Sequence, residues 1–224
     1  DSVKAIAHRG YSTDAPENTL PAYVLASQKG FSYVECDVNF TSDGVPVLLH
    51  DDTINRTSNG VGSINDLTIA QVKTYDFGYP TRFGSKYAGT NIPTLEEFLK
   101  LCFKLNLHPY MELKSFVGDS TVKTQIIVDM VERLGMKGRV SYIGSLQAMT
   151  IVKDLDGSAR IGVVTSTSIG AWLPTLQGLR TGTNQVFADA LIGTYTEAEI
   201  QSAAEAGISV EIWTTNTVSD VITA

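Results

Sequence analysis

Short runs rich in β-branched residues alternate with amphipathic helical segments along most of this chain. That alternation restricts the fold more than any single motif does. Parallel strands need long crossover connections, usually helices, so a repeating strand–helix rhythm builds a parallel sheet with helices outside it. The first strand reads as residues 5–8, and a helix is predicted over 17–29, entered at Pro16 and ended by Gly30. Further strands are predicted at 33–39, 109–114, 140–144, 160–165, 185–189 and 209–214, with an extended piece at 45–50. Helices are predicted at 94–105, 120–134, 146–155, 169–179 and 197–206.

Residues 51–92 break the rhythm. They hold one helical turn region, 68–75, and a loop rich in Gly, Tyr and Asn, and read as a small subdomain inserted after the second strand. Seven main strands approach the eight of a TIM-type (β/α)8 barrel, for which about 250 residues is typical. The expectation is therefore an α/β chain with one barrel domain over 1–224 and 51–92 inserted in it. The end of the chain fits this less well. Residues 217–224 are too few for both a helix and an eighth strand, so either they start the last helix of a truncated chain or, the favoured reading, 219–223 is the last strand with its preceding helix missing.

Formal net charge is -7, which argues against broad attraction to nucleic acid or anionic lipid. No stretch approaches the roughly 18 apolar residues that span a bilayer. Cys36 and Cys102 form neither a disulfide framework nor a zinc pattern. The sequence begins at Asp1 without Met, for which a cleaved signal peptide is one explanation.

In a parallel (β/α) architecture, functional groups collect where strands end and loops begin. The first strand ends in His8-Arg9-Gly10, and the second carries Glu35 and Asp37, two apart and so on one face. The extended piece ends in His50-Asp51, the strand at 109–114 in Glu112-Leu113-Lys114, and the strand at 209–214 carries Trp213. Three carboxylates at one opening, Glu35, Asp37 and Glu112, repel one another unless a cation lies among them. A hard divalent ion with oxygen ligands, Ca²⁺ or Mg²⁺, meets that need. The plain structural alternative is an internal ion-pair net with Arg9 and Lys114.

Two of the three histidines stand at strand ends, so one of His8 and His50 can take a proton while the other gives one. His108 has no such placement and reads as structural. Arg9 and Lys114 suit the non-bridging oxygens of a phosphate. Asp51 has two readings, an orienting partner for His50 or a turn residue.

Seven motifs then occur in order: His8-Arg9-Gly10, Pro16-Glu17-Asn18-Thr19, Glu35-x-Asp37, Asp43-Gly44 leading to His50-Asp51, Ile92-Pro93-Thr94-Leu95-Glu96-Glu97, Glu112-x-Lys114 and Trp213-Thr214. Together they resemble the glycerophosphodiester phosphodiesterase family, over residues 5 to about 114 and again at 208–216, while 120–205 agrees in rhythm only. The resemblance implies a TIM-type barrel, one divalent cation on Glu35, Asp37 and Glu112, and His8 with His50 as the acid/base pair. It implies phosphate contacts from Arg9 and Lys114. The implied substrate is a small glycerophosphodiester, cleaved through a cyclic phosphate to glycerol 3-phosphate and an alcohol. Trp213 then packs against the glycerol carbons or, equally well, caps the core. The habits of the family and the missing Met suggest a periplasmic or secreted location.

Two other functions compete. A phospholipase C-like or D-like enzyme on intact lipid needs an apolar rim, for which Phe77, Tyr79, Phe83 and Tyr87 are candidates; packing inside the inserted segment is the favoured role for these four. A non-catalytic phosphodiester-binding barrel keeps the fold without the chemistry.

Overall fold

The computed structural model describes residues 5–213. They divide at the Val140–Ser141 boundary into two compact units. The first contains β1 (Ile6–Ala7), α1 (Leu20–Gln28), β2 (Tyr33–Phe40), β3 (Pro46–Leu48), α2 (Ile69–Val72), α3 (Pro80–Phe83), α4 (Leu95–Leu105), β4 (His108–Leu113) and α5 (Ser120–Arg133). β2 lies between β1 and β4, parallel to both, and β3 pairs with it in the antiparallel sense near its C-terminal end.

β2 is buried on both faces and sorts its side chains by parity. Val34, Cys36, Val38 and Phe40 form an apolar face, and Glu35, Asp37 and Asn39 a polar one. The register sets Glu35 opposite Tyr110 and Asp37 opposite Glu112. Two carboxylates are thus directly opposed on neighbouring strands, an arrangement that is destabilising without compensating charge.

α4 shows how the sequence writes a helix. Thr94 and Glu97 form a reciprocal capping box, and Asn106 ends the helix in the left-handed region. Leu95, Phe98, Leu99 and Cys102 form its buried face, each large apolar side chain contributing about 1.5–3 kcal/mol. Phe98 packs its ring on Tyr23 of α1, with centroids 4.4 Å apart.

The first helix starts later than expected, at Leu20 rather than 17. Asn18 has φ +56°, outside helical space, and Pro21 rather than Pro16 occupies the first turn. Glu17 and Asn18 therefore belong to a turn, which frees their side chains for other partners. His108 opens β4 and packs against the rings of Tyr33 and Tyr110, in keeping with a structural role.

The inserted stretch has its own core. Ile54, Ile64, Val72, Phe77 and Ile92 cluster with Val47 and Leu49. Besides the helical turn expected at 68–75, a 3₁₀ turn at Ile64–Asp66 and the short α3 occupy what read as loop. Of the four aromatics, Phe77 is buried in this core, while Tyr79, Phe83 and Tyr87 stack edge to face. The Tyr87 hydroxyl donates to the Asp14 carbonyl at 2.7 Å, tying the segment to the loop after β1.

Gly10 turns the chain out of β1. Its φ is +78°, and a Cβ there would lie 2.7 Å from Ala22 Cβ and 2.9 Å from the Ala22 carbonyl carbon. Gly10→Ala is expected to destabilise the protein by about 3 kcal/mol. A lower urea midpoint with unchanged slope checks this.

The second unit is a run of parallel strands, β5 (Ser141–Gly144), β6 (Arg160–Thr165), β7 (Gln185–Leu191) and β8 (Ser209–Trp213), paired in sequence order. The helices α6 (Leu146–Leu155), α7 (Ile169–Gly178) and α8 (Glu197–Glu205) connect them. The last strand expected at 219–223 lies outside the described residues. No helix among the described residues is long and apolar enough to cross a membrane.

Candidate active site

The turn after β1, the polar face of β2, the residues after β3 and the end of β4 meet in the first unit. Ligand oxygens of Glu35, Asp37 and Glu112 lie within 4.8 Å of one another. Parity on β2 puts the first two on one face, and the β2–β4 register adds the third.

The ion-pair alternative is part of what these side chains do. Lys114 Nζ lies 2.8 Å from Asp37 Oδ1 and 2.7 Å from Glu112 Oε2. Arg9 Nε is 3.3 Å from Asp37 Oδ2, and its Nη1 donates to Glu17 Oε1 at 2.9 Å. Asn18 completes the surroundings of Asp37. Its Nδ2 donates to Oδ2 at 2.7 Å, and its Oδ1 accepts from the Asp37 backbone N–H at 3.1 Å and from the Tyr23 hydroxyl at 3.0 Å. Arg9 has φ +57°, a strained value for a non-glycine, held in place by those pairs and by its backbone N–H donating to Glu35 Oε2 at 2.8 Å.

Titration differs among the three carboxyls. Burial, then Asp37 and Glu112, push Glu35 well above the usual carboxylate range. Burial likewise raises Glu112, against the pull of Lys114. Burial would raise Asp37 too, but Lys114, Arg9 and Asn18 outweigh it and hold its carboxyl below the ordinary value.

A divalent cation fits this donor set. The network of ion pairs and hydrogen bonds holds five carboxylates (Glu17, Glu35, Asp37, Asp51 and Glu112) against three cationic side chains (Arg9, Arg56 and Lys114). With all five ionised, two negative charges are left over, and the donors are hard oxygens of the kind that hold Ca²⁺ or Mg²⁺.

His8 borders the cluster, and the charge of His50 is felt at His8. His8 Nε2 is 3.8 Å from Glu35 Oε2. Its ring keeps 44% of its surface open, yet the surrounding protein and the Arg9 charge push its pKa down to about 4. His8 is therefore a neutral imidazole near pH 7. His50 Nδ1 lies 2.7 Å from Asp51 Oδ1. Hydrogen bonds from Arg56, aided by His50, hold the Asp51 carboxyl far below its ordinary value, so it only accepts. Nδ1 of His50 must then carry a proton, and Nε2 is the nitrogen left for other partners. Of the two readings of Asp51, the geometry selects the orienting partner.

Trp213 ends β8 in the second unit, where its indole N–H donates to the Asp189 carbonyl at 3.1 Å. Glu17 and Asn18 stand inside the Pro16-Glu17-Asn18-Thr19 motif, yet no spacing rule gives them a role. Arg56 was missed outright, because it meets Glu17 across 39 residues of sequence.

The chain is similar to known proteins. The sequence profile of the Glycerophosphoryl diester phosphodiesterase family matches residues 8–223. Glycerophosphodiester phosphodiesterase 1 of Mus musculus is 46% identical over 114 residues, 51% of this chain and 34% of that protein. The glycerophosphodiester phosphodiesterase of Caldanaerobacter subterraneus subsp. tengcongensis is 43% identical over 110 residues, 49% and 44% of the two chains. The match thus spans less than half the length of either relative. A solved structure of an Oleispira antarctica phosphodiesterase in complex with the product sn-glycerol-3-phosphate is similar with a TM-score of 0.89 at 28% identity, over 98% of this chain and 87% of that one. The fold class is accordingly the TIM-type (β/α) barrel expected from the strand–helix rhythm. With its matching profile, fold and relatives, the chain belongs to the glycerophosphoryl diester phosphodiesterase family.

Proposed function

We propose that this protein hydrolyses glycerophosphodiesters to glycerol 3-phosphate and an alcohol. The observation that carries the reading is the cluster of Glu35, Asp37 and Glu112, with His8 beside Glu35 and His50 oriented by Asp51. The product held by the Oleispira antarctica relative supports the substrate class.

Glu35, Asp37 and Glu112 would hold one divalent cation, Ca²⁺ or Mg²⁺, whose chemistry is charge neutralisation at the phosphoryl group and a lower pKa for a nearby hydroxyl. Arg9 and Lys114 hold non-bridging phosphate oxygens and stabilise the charge that grows on them. The glycerol 2-hydroxyl attacks phosphorus and gives its proton to one histidine. The P–O bond to the leaving alcohol breaks, and the other histidine protonates that oxygen. Water then opens the cyclic phosphate with the two histidines in exchanged roles, leaving glycerol 3-phosphate. His50 acts through Nε2, since Nδ1–H is committed to Asp51.

Action on intact phospholipid is the competing reading. It needs aromatics free to enter a lipid surface, whereas Phe77 is buried in the core of the inserted segment and the other three stack on one another. Comparing glycerophosphocholine with vesicles of phosphatidylcholine separates the two. The expected result is glycerol 3-phosphate from the soluble diester and little turnover of vesicles. Faster turnover of vesicles would favour the lipid enzyme.

A further inference from the structure

Arg56 lies in the inserted segment, and every N–H of its guanidinium has a partner. Nε donates to Asp51 Oδ2 at 2.7 Å, and Nη2 to Asp51 Oδ1 at 2.9 Å. Nη2 also donates to Glu17 Oε1 at 2.8 Å, and Nη1 to Glu17 Oε2 at 2.7 Å. The remaining Nη1 proton faces the Tyr79 hydroxyl at 3.4 Å, with the tyrosine ring 5.8 Å from the guanidinium carbon. Two carboxylates are thus gripped in fork geometry by one planar cation, which the single ammonium nitrogen of lysine cannot reproduce.

Each gripped carboxylate has one more partner. Asp51 accepts from His50 Nδ1, and Glu17 accepts from Arg9 Nη1. A chain of contacts therefore runs from His50 through Asp51, Arg56 and Glu17 to Arg9, whose backbone N–H reaches Glu35. Arg56 is the only link in it that no motif suggested.

We propose that Arg56 is a positioning residue for the reaction described above: through Asp51 it fixes the ring and tautomer of His50, and through Glu17 it fixes the guanidinium of Arg9. The proposal rests on that reading of the reaction. A catalytic histidine is useful only if the correct nitrogen faces the reacting atoms, and the partner of the other nitrogen decides which that is. Without Arg56, Asp51 keeps its charge but loses the fork that aims it, so His50 is free to turn or to move its proton to Nε2. Arg9 loses the fixed position of Glu17 at the same time. The inserted segment would then serve catalysis as well as its own packing.

Two measurements on the full chain test this. The first is turnover of glycerophosphocholine by Arg56→Ala and Arg56→Lys, each alone and with His50→Ala. Loss of charged hydrogen bonds that orient a catalytic group predicts a fall in kcat on the order of 10–100-fold for both single variants, with KM changing less. Guanidinium ion should restore part of the kcat of Arg56→Ala. The loss should shrink strongly in the His50→Ala background, because groups acting as a unit are not additive. The second is nitrogen NMR of the three histidines without substrate, with His50 assigned from His50→Ala. Wild type should show His50 with the proton on Nδ1, and Arg56→Ala should move that proton toward Nε2. Should Arg56→Ala fail to fold, Arg56→Lys serves both measurements.

The proposal is overturned if wild type turns over but the variants keep kcat within about twofold, well below the loss these bonds predict. It is also overturned if the loss multiplies in full with that of His50→Ala, or if the His50 tautomer is the same with and without Arg56. A wild type that releases no glycerol 3-phosphate from any diester overturns the reaction instead, while the NMR result still decides whether Arg56 sets the tautomer.

Discussion

His8→Ala and His50→Ala are each expected to lower kcat for release of glycerol 3-phosphate by about 10²–10⁴-fold, the range for loss of a positioned general acid or base. Neither change should cost much stability. The side chains are 44% and 36% exposed, and among the described residues their ion partners are Glu35 and Asp51 respectively. Thermal denaturation should therefore place both variants close to wild type. The two losses should also fail to multiply, since removing either histidine already breaks the shared proton transfer. Equal activity of wild type and both variants would remove the histidines from the mechanism, and no release by any of the three would return the binding-protein reading.

The second large effect concerns Asp37. Its side chain is fully buried, and it takes Lys114 on one oxygen and Arg9 and Asn18 on the other. Asp37→Ala takes the acceptor from Asn18 Nδ2 and leaves two largely buried cations short of charge, so a loss of about 3–5 kcal/mol is expected. Asp37→Asn keeps the shape and should cost less, but it removes a charged ligand from the cluster. Wild type should gain thermal stability when Ca²⁺ or Mg²⁺ is added after chelation, by about 3 kcal/mol at a hundred times Kd. Glu35→Gln and Asp37→Asn should lose most of that gain. A wild type whose Tm ignores both ions would leave the three carboxyls as an ion-pair net alone.

Much of this was legible in the sequence because it depends on local rules. Parity alone put Glu35 and Asp37 on one face of a strand, and the strand–helix rhythm gave the parallel order that brings Glu112 opposite Asp37. The start of the first helix was misread because Pro16 mimics an N-terminal signal. The cause is tertiary: Asn18 leaves helical space to reach Asp37, and no local propensity encodes that partner. Asp51 stayed open for a similar reason. A turn residue and a histidine partner look alike until Arg56 is seen gripping it. Arg56 itself sits in a stretch that read as irregular, and Glu17, 39 residues away, is what gives it meaning.

Phosphorus NMR of glycerophosphocholine incubated with the protein tests the central claim most directly. With Ca²⁺ or Mg²⁺ present, the diester signal should give way to glycerol 3-phosphate, and chelator should stop the conversion. Absence of glycerol 3-phosphate with either ion, or equal conversion with chelator, would contradict it.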